Sequence, residues 1–148
     1  NDPATDLRGT GLLGLLHLLY FILDSSTAAT AKKVYQISQD EIQNFPFCLM
    51  SISMTRIALE VLREELLNKE CNQRNQVMLV VNEFYAGTFF HLYQTWKKYH
   101  KTIIDTGYVI KAVTDYVKKN VKTVIQSMKE FQDQEETKSG VMALHING

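Results

Sequence analysis

The residues of this sequence that could do chemistry are few, and the first of them lies near the N-terminus. Arg8 stands between Asp6 and Gly9, in a short polar segment that leads into an apolar run. A guanidinium carries a permanent charge and a planar set of donors, which suits it to binding an anion such as a phosphate. A solvated arginine, or a local pair with Asp6, is the commoner explanation of such a residue.

The run Gly9-Thr10-Gly11-Leu12-Leu13-Gly14 has the spacing of a dinucleotide-binding fingerprint, whose glycines bring a strand-to-helix turn close to a pyrophosphate. That fingerprint follows a buried strand, whereas the residues before Gly9 are mostly polar. We therefore predict no cofactor for this chain. Gly9 and Gly11 are expected to permit a tight loop instead.

Histidines and cysteines offer no further site. The four histidines show no metal-ligand spacing, so we predict no metal site. His17, inside the apolar run, is expected to be a hydrogen-bonded core histidine. The two cysteines, Cys48 and Cys71, are too few for a disulfide scaffold or a four-thiolate zinc site, and they fit a reducing compartment.

The elements that must position these residues are helices. The chain has 148 residues, 45% hydrophobic and 22% charged, which is typical of one globular domain. Its apolar residues are spaced by three and four, so we predict an all-α domain of about five or six helices. The stretch from Leu12 to Leu23 is apolar nearly all round, which predicts a central helix enclosed by the others. It is too short to span a membrane, and the acidic residues before it argue against a secretory signal.

Three further features divide the chain. Phe45-Pro46-Phe47 predicts a break and a new helix start with both phenylalanine rings buried. Gly87, within a long apolar-striped segment, predicts close helix packing or a bend. The apolar period is lost from Gln132, so we predict a domain over 1–131 and a mobile tail over 132–148.

Charge is balanced overall but uneven along the chain. Sixteen basic residues match sixteen acidic ones, so we predict no nucleic-acid partner. Between Lys97 and Lys129, however, eight lysines stand against two aspartates. Four of the lysines have spacings that place them on one side of a helical segment: Lys111, Lys118, Lys122 and Lys129. We hypothesise that this side faces an anionic membrane, although a solvated helix face is the commoner explanation.

The N-terminal run from Asp2 to Leu15 resembles the signature of the ELMO (engulfment and cell motility) domain, in the form Asp-x-Arg-Gly-x-Gly-Leu-Leu-Gly-Leu. Later segments also resemble that domain and extend the likeness to about Met128: Leu18-Leu19-Tyr20, Phe45-Pro46-Phe47-Cys48 and Val81-Asn82-x-Phe84-Tyr85. Thr10 differs from the methionine of many members. Elements expected upstream of the signature are absent, so we expect an N-terminal part of the domain to lie outside this chain.

The sequence is more similar to the shorter ELMO-domain-containing proteins, which are GTPase-activating proteins for Arf and Arf-like small GTPases, than to the larger ELMO scaffolds. The resemblance implies that Arg8 is the catalytic arginine, on a loop supported by Asp6, Gly9 and Gly11. GTP and magnesium would belong to the partner GTPase. A cytoplasmic protein, peripheral to membranes or the cytoskeleton, is implied as well. The alternative is a non-catalytic helical interaction module of the scaffold kind.

Overall fold

The computed structural model describes the backbone of residues 3–146 and the side chains of residues 10–141 and 144. Over these residues the chain forms seven α-helices, one short 3-10 helix and no strand, so the all-α prediction is confirmed. The helices are α1 (Pro3–Leu23), α2 (Ala28–Ser38), α3 (Phe47–Arg63), α4 (Asn68–Arg74), α5 (Val77–Lys98), α6 (Thr106–Lys119) and α7 (Val121–Ile146), with the 3-10 helix at Ile103–Asp105. The number exceeds six because the polar segment after α3 is itself helical.

The centre of the domain is α5, which contacts all six other α-helices. Half of its residues are buried, including Phe84, Tyr85, Phe89 and Trp96. The prediction that Leu12 to Leu23 forms the central helix is wrong. That stretch of α1 packs on α2, α3 and α5 from one side only, and its other side is exposed.

Aromatic rings join α1 to α5. Phe21 stacks on Phe89 with ring centroids 5.1 Å apart and meets Tyr85 edge-on at 5.8 Å. The Tyr85 hydroxyl is 2.6 Å from Ser51 Oγ in α3, so the only polar atom of this cluster is hydrogen-bonded. One face of α1 is thereby held against the core in a fixed orientation.

Gly87 allows α7 to approach α5 closely. A Cβ atom placed on Gly87 would lie 2.5 Å from the carbonyl oxygen of Val124 and 2.9 Å from its Cγ1. No real Cβ atom is found so near a backbone oxygen, so any other residue at this position would push the two helices apart. The predicted close packing is confirmed.

The Phe-Pro-Phe segment ends in the first residue of α3, with Pro46 as the preceding cap residue. Phe45 is buried edge-on against Trp96, whereas Phe47 is half-buried between Tyr35 and Phe89. The predicted helix start is confirmed, and burial is complete for Phe45 alone. The Phe47 ring lies at the surface between α2 and α3.

The tail predicted from Gln132 onward is instead the second half of α7, as far as Ile146. Gln132 is buried and donates to the carbonyl oxygen of Ser25 at 3.0 Å, and Glu135 pairs with Lys33 at 3.2 Å. The prediction failed because most of this half-helix is exposed, so its residues are polar and show no apolar period. Residues 147 and 148 lie outside the described part of the chain.

Within the described residues, no individual helix has the length and apolar composition needed to cross a membrane. Thr10–Leu23 and Ala28–Ser38 meet that criterion only jointly, as a pair bent by 108°.

Candidate functional site

The site predicted from the sequence lies in the first turns of α1. This helix begins at Pro3, so the backbone that carries Asp6, Arg8 and Gly9 is helical and the predicted supporting loop is wrong. Proline suits the first turn of a helix, and the glycines lower helix propensity without ending the helix. The side chains of residues 1–9 lie outside the described residues, so the roles assigned to Asp6 and Arg8 stay predictions.

Further along α1, one side of the helix is apolar and exposed. We call this side the leucine face. Its members are Leu12, Leu15, Leu16, Leu19, Ile22 and Leu23. The exposed fraction is 63% at Leu12 and 74% at Leu23. A contiguous apolar patch of this kind on the surface of a protein marks an interaction surface.

The opposite side of α1 is buried, and it carries Gly14, His17 and Phe21. His17 has no exposed surface, and its Nδ1 atom lies 3.0 Å from Thr55 Oγ1. Its ring stacks at a tilt on Tyr85, with centroids 4.6 Å apart. Burial lowers the pKa of His17 to about 4, so the ring is neutral at pH 7. The predicted hydrogen-bonded core histidine is confirmed.

A groove of about 340 Å³ opens beside the C-terminal end of the leucine face. Ile22 belongs to both, and Ala31, Tyr35 and Phe47 form much of the rest of its wall, with Lys32 beside them. The half-buried Phe47 ring thus has an exposed apolar edge for a ligand to contact. A groove of this composition suits a large apolar side chain from a partner protein.

The leucine face and its groove were not predicted from the sequence. The available signal was the placement of Gly14 and His17 among leucines. Both fall on one side of the helix, and the leucines surround the other. Gly14 lets α3 come within ordinary contact distance, since a Cβ there would lie 3.5 Å from Ile52 Cγ1. Because the large Phe21 is buried on the same side, Gly14 and His17 alone do not distinguish a binding surface from a core surface.

The four-lysine side that was predicted to face a membrane is partly occupied by ion pairs. Lys118 Nζ lies 2.6 Å from Glu60 and 3.1 Å from Glu64, and these hydrogen bonds raise its pKa. Lys129 Nζ lies 3.6 Å from Glu83. Lys111 and Lys122 are exposed and form no ion pair with the described residues. The stripe is therefore half-neutralised within the domain.

Comparison with known proteins agrees with the sequence signature. The chain is 49% identical over 130 residues to ELMO domain-containing protein 3 of Mus musculus, an alignment that covers 88% of this chain and 34% of the relative. The corresponding Homo sapiens protein is 48% identical over the same length. Engulfment and cell motility protein 1 of Homo sapiens is 27% identical over 138 residues, covering 88% of this chain and 19% of that protein. No solved structure matches the chain.

The chain spans about a third of the length of the first relatives it matches. The identity is higher with ELMO domain-containing protein 3 than with engulfment and cell motility protein 1, which agrees with the predicted likeness to the shorter ELMO-domain-containing proteins. The model of the ELMO/CED-12 family matches residues 1–110, which is most of the chain and includes Arg8, the leucine face and the groove. The chain belongs to the ELMO/CED-12 family.

Proposed function

We propose that this domain is a GTPase-activating module for Arf or Arf-like small GTPases, with Arg8 entering the nucleotide site of the partner. The observation that carries the proposal is the exposed leucine face on the same helix as Arg8. Arg8 precedes Leu12 by four residues and Leu15 by seven, the spacing at which residues share one side of a helix. Docking of the leucine face would bring the N-terminal end of α1 onto the partner.

The chemistry required of this chain is positive charge. The GTPase supplies the nucleotide, the magnesium ion and the attacking water, and negative charge spreads over the transferred phosphoryl group during hydrolysis. A guanidinium inserted in trans stabilises that charge and raises the rate by about 10³ to 10⁵ in other GTPases. Its donors form a rigid planar fork that matches two phosphate oxygens in a bidentate geometry, which the ammonium of a lysine does not provide.

A helical start of α1 changes the proposed roles of the residues around Arg8. Residues two apart on a helix do not face each other, so Asp6 is a weaker candidate for orienting Arg8 than it would be in a loop. Gly11 is exposed, and a Cβ atom there would meet nothing within 4 Å. We propose that Gly9 and Gly11 leave this surface without protruding side chains, so that the backbone of the GTPase can come close.

Single-turnover GTP hydrolysis by a panel of Arf and Arf-like proteins tests the arginine. Arg8→Ala should abolish the stimulated rate, and Arg8→Lys should lose most of it because the planar fork is gone. Arg56→Ala is the matched control, since Arg56 is an exposed arginine on α3. Full stimulation by the Arg8→Ala variant, with circular dichroism unchanged, would eliminate the arginine-finger role.

Binding to the GTP-loaded partner tests the leucine face separately. Leu16→Ser should weaken binding by roughly ten-fold or more, as removal of a central apolar anchor does. Leu49→Ser is the control, because Leu49 is 64% exposed on α3 and lies outside the face. Equal binding by the two variants would show that the leucine face does not contact the partner.

The scaffold alternative makes a different prediction from the same surface. A non-catalytic module would bind a partner through the leucine face without stimulating GTP hydrolysis, and Arg8→Ala would leave binding unchanged. Binding to both the GTP-loaded and GDP-loaded forms without any stimulation would favour it.

We further propose that the protein is cytoplasmic and contacts anionic membranes peripherally. The proposed contact surface is the start of α6 and not the four-lysine stripe. Ile104 and Tyr108 are 88% and 83% exposed, and with Lys111 they line one shallow groove. Apolar side chains beside a lysine suit an anionic bilayer surface. Lys111→Gln should reduce salt-sensitive co-sedimentation with phosphatidylserine vesicles more than Lys118→Gln, because Lys118 is already paired with two glutamates.

A further inference from the structure

A groove lined by lysines and aromatic rings lies at the C-terminal end of α5, where this helix meets α2 and α7. Its volume is about 620 Å³, which is within the range for small-molecule sites. We call it the lysine groove. Its lining includes one residue of α2, one of α7 and four of α5, namely Lys33, Phe131, Phe90, Tyr93, Lys97 and Lys98. None of the roles proposed above uses it.

One wall of the lysine groove is a row of three aromatic rings. The buried Phe90 lies between the other two, with ring centroids 4.7 Å from Phe131 and 6.4 Å from Tyr93. Lys33 Nζ lies 4.9 Å from the centroid of Phe131, and Lys97 Nζ lies 5.9 Å from that of Tyr93. These cation–π contacts hold two ammonium groups at the groove without neutralising their charge.

The lysine groove carries positive charge that its surroundings do not balance. Among the described residues, none that lines it is acidic. Lys97 and Lys98 form no ion pair with the described part of the chain, and Lys33 shares the carboxylate of Glu135 with Lys138. Three ammonium groups and one shared carboxylate leave an excess of about two positive charges at the groove. A ligand with more than one negative charge would balance that excess.

The aromatic wall restricts the chemistry of such a ligand. An aromatic anion that stacked on this wall would compete with Lys33 for the ring of Phe131 and with Lys97 for the ring of Tyr93. A compact anion with two or more phosphate groups can instead accept hydrogen bonds from the ammonium groups where they lie. The groove therefore favours several phosphates on a small, non-aromatic frame.

Exposed apolar side chains near the lysine groove indicate the source of this anion. His100 also lines the groove, and it precedes Ile104 by four residues, over which a chain extends at most about 14 Å. Tyr99 and Ile103 are 59% and 53% exposed, and Ile104 and Tyr108 are more exposed still. Apolar side chains beside lysines suit the surface of an anionic bilayer.

We propose that the lysine groove binds the multiply phosphorylated headgroup of a membrane lipid, a phosphoinositide. Lys97 and Lys98 donate to its phosphate oxygens, and Lys33 joins them by exchanging Glu135 for the ligand. Ile104 contacts the bilayer beside the bound headgroup. This inference rests on the membrane contact proposed for the start of α6 and is independent of the GTPase-activating role.

Heteronuclear NMR titration with inositol trisphosphate tests the groove without a membrane. Saturable shifts should be confined to amides near Lys33, at the C-terminal end of α5 and near Phe131. Phenyl phosphate should bind at least about ten-fold more weakly, because it has one phosphate and its ring competes with the lysines. Equal or tighter binding of phenyl phosphate, or no binding of inositol trisphosphate at millimolar concentration, would overturn the proposal.

Variants of opposite expected effect give a second check. Lys97→Gln and Lys98→Gln should each weaken binding of inositol trisphosphate by about five-fold. Lys69→Gln is the matched control, because Lys69 is an exposed lysine of α4 outside the groove. Glu135→Gln should tighten binding, since it frees the third ammonium group, whereas the exposed Glu130 of the same helix serves as its control in Glu130→Gln. Equal effects of Lys97→Gln and Lys69→Gln, or weaker binding after Glu135→Gln, would contradict the assignment.

Co-sedimentation with vesicles separates the groove from the membrane contact. Phosphatidylcholine vesicles that contain phosphatidylinositol bisphosphate should bind the chain more tightly than vesicles that contain phosphatidylserine at the same total charge, and Lys97→Gln should abolish this preference. Ile104→Ser should weaken binding to both kinds of vesicle and leave the trisphosphate titration unchanged. Equal binding to both kinds of vesicle would overturn the groove proposal and retain the membrane contact. Trisphosphate binding without binding to either vesicle would overturn the lipid source and the membrane contact together.

Discussion

The helices α1 and α5 are both long and rich in apolar residues, yet they play opposite parts in the fold. The α5 helix is surrounded by the six others and buries its aromatic residues. Packing reaches α1 from one side, and its leucines are left exposed. Apolar composition therefore shows that a helix has a surface to cover, but not that its own domain covers it.

Removing a ring from α5 should have the largest effect on stability. Phe89 has no exposed surface and contacts the rings of Phe21, Phe47 and Tyr85. Phe89→Ala should lower the free energy of unfolding by about 3 to 5 kcal/mol, measured by urea denaturation. Leu23→Ala, on the leucine face, should change it by less than about 0.5 kcal/mol. Similar losses from the two variants would mean that α1 is covered within the domain.

The stability that the buried His17 of α1 gives to the fold should depend on pH. The pKa of His17 falls from 6.5 in the unfolded chain to about 4 in the fold, so the unfolded state binds more protons between these values. The stabilisation is thus complete above pH 6.5 and is lost as the pH falls towards 4. At pH 5 the free energy of unfolding should be lower than at pH 7 by about 2 kcal/mol.

Urea midpoints at pH 7 and pH 5 measure this loss for the parent chain and for His17→Gln. The variant should lose less stability on acidification, because its side chain does not titrate. The pKa of His91 is also lowered by burial, so part of the pH dependence should persist in the variant. An equal loss in parent and variant would contradict the assignment to His17.

A pair of glycine substitutions should differ in the direction of their effect on stability. Gly87→Ala places a methyl group 2.5 Å from the Val124 carbonyl oxygen, so it should destabilise by about 1 to 3 kcal/mol despite the better helix propensity of alanine. Gly14→Ala makes only an ordinary contact, at 3.5 Å from Ile52, and should be neutral or stabilising by up to about 1 kcal/mol. Thermal unfolding of both variants checks the contrast. Destabilisation by Gly14→Ala would show that α1 is packed against α3 as tightly as α5 is against α7.

Periodicity predicted the parts of the fold in which one buried side repeats over several turns. Met50, Met54, Ile57 and Val61 of α3 follow this three-and-four spacing, and all four are buried. Helices α6 and α7 meet at Asn120, and both continue the same spacing of buried residues on either side of it. In these segments local spacing and tertiary packing agree, so the sequence alone is enough to predict which side of each helix is buried.

Prediction failed where packing with distant residues decides the outcome. Residues of α7 after Gln132 have no apolar period, but contacts with Ser25 and Lys33 hold one side of that helix. The leucine face could not be told from a core surface, because that distinction depends on which helices are available to cover it. The pairing of Lys118 with Glu60 of α3 and with Glu64 just after it likewise joins residues far apart in the chain.

Trp96, the sole tryptophan of the sequence, gives the protein a built-in optical probe. Its indole N–H donates to the carbonyl oxygen of Gln43 at 2.8 Å, and the Gln43 amide donates back to the carbonyl oxygens of Trp96 and Lys101. Undocking of the segment between α2 and α3 would break this exchange and admit water to the ring. Intrinsic fluorescence therefore reports whether that segment is seated on the end of α5, without any label.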